Sequence, residues 1–364
     1  MISELFKYNQ PNFDSELFAS APNAVLKPVM LQGVAPEGYH ATTIFPEYFK
    51  IDGKWVLAGE SRMDCVVVVK DDSSLEVKEF RRLMEGEMVV MGRTEDASEG
   101  IYVHTSGFAG GEKTGEAFAF RTGRSRETSY SRDYDRLYDL IKYEKDNGYI
   151  VWVLGPAVVF DSDSRKAMVS LIENGYVDAV FAGNALATHD LEAAMLSTAL
   201  GQDIYTQSYV NNGHYNHIDV INKARSCGDL KTFIQTHNIE NGVIHACIKN
   251  NIPFVLAGSI RDDGPLPGVI SDVYAAQDAM RQHTKKATAV LGLATQLHSI
   301  ATGNMTPSYQ VVERDVRPVF LYCVDVSEFA VNKLRDRGSL AVTSIVTNIQ
   351  DFLVNLERNL TDSE

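Results

Sequence analysis

Cysteine is scarce: four in 364 residues, Cys65, Cys227, Cys247 and Cys323, with no CxxC spacing. That pattern excludes a disulfide-stapled secreted scaffold and reads as reduced packing thiols of a cytoplasmic protein. Positive charge is outnumbered as well, with 34 Lys plus Arg against 48 Asp plus Glu and a net charge of −14. The summed field repels duplex nucleic acid and anionic membranes, so neither is an expected partner. No apolar stretch approaches the ~20 residues of a membrane helix, and the first residues carry neither a basic region nor an apolar core of a signal peptide. G-x-G-x-x-G, HExxH and any repeat with a period of 20 to 50 residues are also missing.

What is present changes character along the chain. The first thirty residues form a polar lead-in, and the turn signal Ala35-Pro36-Glu37-Gly38 opens a β texture. Tyr48–Ile51 and Trp55–Ala58 flank Asp52-Gly53, a hairpin signal. Met63–Val69, Glu87–Arg93 and Gly100–His104 follow as strands. A Gly-rich charged stretch, Thr105–Arg132, then reads as a linker or an active-site loop, and Asp133–Asp146 as a helix stopped at Gly148. Beyond it, apolar runs at Ile150–Phe160, Val177–Ala182, Pro253–Gly258, Ala287–Ala294, Val319–Val324 and Leu340–Val346 alternate with helical lengths such as Arg165–Asn174 and Asp272–His283. Alternation of this kind predicts an α/β domain with a mostly parallel sheet covered on both faces, and the length favours two domains in all.

Open parallel sheets bind ligands outside the carboxyl ends of their strands. Gly155-Pro156-Ala157, Gly183-Asn184-Ala185 and Gly258-Ser259 follow three of the runs, and glycines there let backbone amides approach a phosphate. Each is equally an ordinary strand-to-helix turn when taken alone. Asp325 ends the fifth run, where an acid holds a ribose diol and repels the extra phosphate of NADP. Asp262 and Asp263, beside Arg261 and ahead of two prolines, either position a cation or nicotinamide ring or cap the next helix. His298 is a general acid/base or a hydrogen-bonded pocket residue. Asp64, entering a buried strand, pairs with a substrate amine or with a structural partner. Arg121, Arg124 and Arg126 grip a carboxylate or lie on a solvated loop. His214 and His217, with His189 and Asp190, can be drawn as a metal site, but nothing else supports one and no metal is expected.

Several strings together resemble the family with a lysine-oxoglutarate reductase/saccharopine dehydrogenase (LOR/SDH) conserved region, which includes NAD-dependent ornithine cyclodeaminases. They are GVAPEGYHATT (33–43), RMDCVVVV (62–69), GPAVVF (155–160), GYVDAVFAGNALATHD (175–190), GHYNHIDVIN (213–222), KNNIPFVLAGSIRDDGPLPGVISDVYAAQDAMR (249–281) and LHSIATGN (297–304). The chain departs from the family pattern at Ile44-Phe45-Pro46, after the paired threonines, and from Gly110 to Arg132.

The resemblance implies a β-rich substrate and oligomerisation domain over 1–130 and a Rossmann-like, deoxyhypusine-synthase-like NAD-binding domain over 131–364. The cofactor contacts it implies are Gly155, Pro156, Ala157, Gly183, Asn184, Ala185, Leu186, the run Ser259, Ile260, Arg261, Asp262, Asp263 and Gly264, then Leu297, His298 and Asp325. Thr42, Thr43, Cys65, Arg121 and Arg124 are the expected substrate contacts, and Asp64, Asp262, Asp263 and His298 the expected catalytic groups. The implied activity is an NAD-dependent cyclodeaminase acting on a diamino acid, L-ornithine first, within a homo-oligomer, dimer or tetramer. The alternatives are an opine- or saccharopine-type imine dehydrogenase, a cyclodeaminase of another diamino acid, and an NAD-binding regulator without turnover.

Overall fold

The computed structural model describes residues 7–108, 131–262, 264–312, 315–327 and 340–361. Two compact units emerge, one from the described residues of Met1–Gly123, Thr306–Phe320 and Arg335–Ala341, the other from those of Arg124–Met305, Leu321–Leu334 and Val342–Glu364.

The first unit is built of short antiparallel strands. Helix α1 (Glu16–Ser20) precedes β1 (Val25–Pro28), in the stretch that the sequence reads as a polar lead-in with one weakly amphipathic segment. Then come β2 (Glu47–Ile51), β3 (Lys54–Leu57), β4 (Glu60–Ser61), β5 (Val66–Val69), β6 (Leu75–Lys78), β7 (Met88–Met91) and β8 (Ile101–Val103). The hairpin between β2 and β3 turns through Asp52 and Gly53, both with positive φ, as the dipeptide requires. Strands pair in the orders β1-β7-β5-β6 and β3-β2-β8. Val67, Val90, Phe49, Ile101 and Cys65 form one apolar cluster of this unit. The expected strand from Met63 begins only at Val66, because Asp64 turns the backbone to a φ of 67°.

The second unit begins with α2 (Ser131–Asn147) and β9 (Ile150–Leu154), and α3 (Ser162–Glu173) leads into β10 (Ala179–Gly183). After α4 (Asn184–Leu196) the chain makes a two-strand hairpin, β11 (Thr198–Ala199) and β12 (Gln202–Asp203), and three helices, α5 (Asn216–Cys227), α6 (Leu230–Thr236) and α7 (Val243–Lys249). Strand β13 (Phe254–Ala257), α8 (Val273–Thr284), β14 (Ala289–Leu293) and α9 (Gln296–Met305) follow. The hairpin β15 (Tyr309–Val312) and β16 (Asp315–Pro318) then belongs with the first unit, where β15 pairs with β4. The chain completes the second unit with β17 (Phe320–Asp325), β18 (Ala341–Val346) and α10 (Ile349–Thr361).

Six strands of this unit stand in the order β13-β10-β9-β14-β17-β18. Counted along the sheet's own strands that is 3-2-1-4-5-6, the doubly wound order, and the β13–β10, β10–β9 and β9–β14 pairs are parallel. Every residue of β9 and β14 is buried, so the sheet is covered on both faces, as runs without alternation imply. Val151, Val153, Phe181, Val290 and Leu321 belong to its main apolar cluster. Asp161 and Asp272 cap α3 and α8 by accepting backbone N–H bonds. In α10, Phe352, Leu353, Leu356 and Leu360 form the buried stripe that the amphipathic pattern predicts.

Candidate functional site at the carboxyl ends of the parallel strands

The strand order reverses between β9 and β14, and a crevice at such a switch point is where open α/β sheets take a ligand. Gly155 sits there for a reason other than phosphate approach. Its N–H donates to the Leu293 carbonyl at 2.8 Å, and a Cβ on it would lie 1.9 Å from the Ala294 carbonyl oxygen. Glycine is therefore required for β9 and β14 to close on each other, and the expected free amide at Gly155 is corrected to a sheet hydrogen bond. Pro156 and Ala157, half-buried, open a 3-10 turn directly after it.

One strand over, β10 ends at Gly183, which starts α4 with no side-chain cap on the helix amides. An uncapped helix start of this length presents unpaired N–H groups and the positive end of the helix dipole, a setting suited to a phosphate. Gly183, Asn184 and Ala185 are partly exposed there, whereas Leu186 is fully buried. The Leu186 side chain thus packs, and only its backbone N–H in the first turn is left for the cofactor contact expected of it. Asn184 Oδ1 accepts the Leu266 N–H at 2.9 Å and so ties the start of α4 to the loop after β13.

That loop is closed at its base by the Gly258 N–H on the Ile270 carbonyl at 2.8 Å. Its tip carries Ser259, Ile260 and Arg261, all exposed. Asp262 folds back, accepting the Ser259 N–H at 2.9 Å, while its own N–H reaches the Ser259 carbonyl. Gly264, at a φ of 146°, supplies a backbone angle that other residues rarely adopt. Asp263 lies outside the described residues.

His298 joins these pieces. It lies in the first turn of α9, after β14, and a Cβ on Gly183 would sit 3.1 Å from its Cε1. Burial pushes its imidazole below the usual histidine range, because the charged form loses hydration, and the Asp262 carboxylate pulls in the opposite direction. The structure thus brings His298 against Gly183 from two strand ends, with the Asp262 charge acting on the imidazole. Leu297 beside it is largely exposed. Asp325, at the tip of β17, is 8% exposed and accepts the Ser327 N–H at 2.9 Å through Oδ1.

The expected residues of the first unit divide differently. Asp64 is exposed. Cys65 is fully buried in the apolar cluster, and burial raises its thiol pKa, so it packs and offers nothing to a substrate. Thr42 is 4% exposed, and its hydroxyl is engaged by the backbone of 62 and 65. Thr43 accepts the Phe45 N–H at 3.1 Å. Arg121, Arg124 and Arg126 lie outside the described residues. Sequence reasoning missed the buried pair of His40 and Glu47, 3.0 Å apart, whose carboxylate also takes the Thr43 N–H. Two residues seven apart, one in a loop and one in a strand, leave no periodic signal.

His189 and Asp190 do not converge on a shared ligand position. His189 Nδ1 bonds Glu192 at 2.8 Å, and Asp190 takes the Arg165 guanidinium at 2.7 Å together with the N–H groups of Val243 and Ile244.

Comparison with known proteins places this geometry. The family model described as "Arginine dihydrolase ArgZ-like, C-terminal, Rossmann fold" matches residues 137–356, and its companion, "Arginine dihydrolase ArgZ-like, C-terminal, first region", matches 46–129. An ornithine cyclodeaminase of Methanopyrus kandleri is 38% identical over 361 residues, 99% of this chain and 82% of that protein. A crystal structure of a conserved putative LOR/SDH protein from Methanococcus maripaludis superposes with a TM-score of 0.83 at 36% identity, covering 94% of this chain and 99% of that one. The ternary complex of AgrE with ornithine and NAD+, AgrE being a bifunctional arginine dihydrolase/ornithine cyclodeaminase of Nostoc sp., gives a TM-score of 0.59 at 33% identity, over 94% of this chain and 46% of that one. The resemblance read from the sequence is borne out, and the chain belongs to the arginine dihydrolase ArgZ-like C-terminal family, with its Rossmann fold.

Proposed function

We propose that this protein is an NAD-dependent ornithine cyclodeaminase, converting L-ornithine to L-proline and ammonia. The carrying observation is the group of Gly183, Asp262 and His298 at the sheet's carboxyl ends, in a chain whose near-full-length relatives bear that name. The uncapped start of α4, the Asp325 carboxylate at the tip of β17 and the doubly wound strand order fit a dinucleotide. Gly183, Asn184 and Ala185 would hold its phosphates, and Asp325 a ribose diol. Bound there, NAD would supply a hydride acceptor for the substrate's α-carbon and the same hydride for the cyclic imine, with no net redox change.

The chain's own residues supply the rest. His298, kept neutral by burial, takes a proton from the substrate amine as the hydride leaves the α-carbon. The terminal amine then closes on the imine carbon, and the proton on His298 goes to the departing ammonia. Asp262 stabilises the imidazolium between these two transfers, being the acid whose charge His298 feels. A cytoplasmic location and a symmetric homo-oligomer complete the reading. All four cysteines are free, and Leu200, Tyr205, Tyr209 and Tyr215 expose apolar surface of the kind subunits cover.

Incubation of the purified chain with NAD and L-ornithine tests the reading. Proline and ammonia are expected in equal amounts with no accumulation of NADH. Steady growth of the NADH absorbance would replace it with an imine dehydrogenase, and bound NAD without product with a binding protein.

A further inference from the structure

From Ile204 to Ile218 the chain runs fifteen residues without a Lys, Arg, Asp or Glu, although such residues make up 23% of the sequence. The gap is not a core segment. Tyr205, Tyr209, Tyr215 and Ile218 are each more than half exposed, and Tyr209 reaches 75%. A surface rich in tyrosine and poor in charge has the composition of a protein–protein contact. The segment is also held in one shape. A Cβ on Gly213 would lie 2.4 Å from the Gly201 carbonyl oxygen, so the two glycines meet backbone to backbone, and a bridge from Tyr209 to Gln202 ties the middle of the span to β12.

The span ends by entering α5, whose two sides differ. Val220 and Ala224 are buried, while Ile218, Asp219, Asn222, Lys223 and Ser226 are exposed. Spaced three and four apart, these exposed residues form one outward face of the helix. Asp219 and Lys223 stand four apart on it, and among the described residues no ion pair engages either.

Charge selects the occupant of this face. A strongly basic or acidic partner finds no field here, since the span is neutral and the single acid is matched by a single base. A second copy of this chain carries the same charge of −14 and is repelled over most of its surface, least of all across an uncharged span. A twofold axis midway between Asp219 and Lys223 lays two α5 helices antiparallel and sets Asp219 of each copy opposite Lys223 of the other. Contacts about a twofold are reciprocal in this way, residue i on j and j on i.

We infer that the exposed face of α5, with the uncharged span before it, is the contact between two copies of this chain, closed by two Asp219–Lys223 pairs. The inference rests on the homo-oligomer of the proposed function and names its surface.

Analytical ultracentrifugation of the full chain tests it, with circular dichroism as the check of folding, on the wild type, Asp219→Lys, Lys223→Asp, the double variant, and an equimolar mixture of the two single variants. The wild type is expected to sediment as a dimer or tetramer. Each single variant sets like charges against each other at both pairs and should weaken this contact about a hundredfold or more, so that the mass falls to half. The double variant exchanges the two charges and should regain the wild-type mass. The mixture should regain it too, because an Asp219→Lys copy and a Lys223→Asp copy oppose unlike charges at both pairs. Single variants that keep the wild-type mass, or a mixture or double variant that stays dissociated, would overturn the inference. Should a reversal not fold, Asn222→Glu, beside the axis, carries the test: it should halve the mass, and an unchanged mass overturns the contact. A monomeric wild type would overturn it together with the homo-oligomer. Proline formation is read separately, so an assembled but inert wild type removes the cyclodeaminase and leaves this contact standing.

Discussion

Two stretches at the start and middle of one helix, α4, fall in one family-matching string and differ as chemistry. Its first turn, from Gly183 to Ala185, is partly exposed and has no side-chain cap, and Asn184 reaches across to the neighbouring loop. Its second and third turns carry more charge, with His189, Asp190 and Glu192, yet all three are buried and occupied. Asp190 holds Arg165 and starts α7 by accepting two of its N–H groups. Glu192 takes the Thr198 hydroxyl at 2.8 Å, the Gly201 N–H and His189, and so fixes the hairpin that follows. The lesson is that partners, more than residue type, separate a ligand-facing group from a packing one. A string match covering both turns cannot tell them apart.

Replacement at each end should break that comparison most sharply. Asp190→Ala leaves the Arg165 guanidinium buried without its carboxylate, and a loss of about 3 kcal/mol is expected in denaturant titration. NAD affinity of the molecules that remain folded should not change. A variant that kept its stability but lost NAD would move Asp190 into the binding site. Asp262→Asn is expected to cut turnover about a hundredfold, the scale of removing support from a proton-transfer group, with the melting temperature little changed. Undiminished turnover would remove Asp262 from the mechanism. Asn184→Ala, which frees the Leu266 loop from α4, should weaken NAD binding roughly tenfold by calorimetry and cost the fold no more than about 1 kcal/mol. An equal loss at both readouts would make Asn184 a packing residue like its neighbours in the next turn.

The same distinction explains how far the sequence could be read. The parallel sheet was legible because β9, β10, β13 and β14 are short, apolar and β-branched, and such runs are dictated by burial on both faces. The loop string from Ser259 to Pro267 stood out for the opposite reason: acids, prolines and glycines cluster there at a strand end instead of apolar residues. Hairpin β15–β16 was not legible, since Tyr309–Pro318 shows mixed polarity and joins β4, some 250 positions earlier in the chain, by pairings that leave no local trace. Gly155 was misread because a glycine that admits a phosphate and one that admits a carbonyl oxygen are the same letter. Thr42 was expected as a substrate contact, and its bonds to the backbone of Arg62 and Cys65, some twenty residues on, leave no local trace in the sequence.

The smallest predicted effect sharpens the comparison at its functional end. Neutral His298 is the form that accepts a proton, and burial sets its pKa below the ordinary 6.5. Activity should therefore hold as pH falls through the usual histidine range and decline only below it, as the imidazole becomes charged. Of the two influences on His298, the Asp262 charge is the one that favours imidazolium, so its removal lowers the pKa further. The residual activity of Asp262→Asn is accordingly expected to show its acid limb at lower pH than the wild type, in profiles of kcat/KM. A limb that stays in place would mean that the titrating group is not His298. A limb that moves upward would mean that Asp262 acts on the fold around the histidine rather than through its charge.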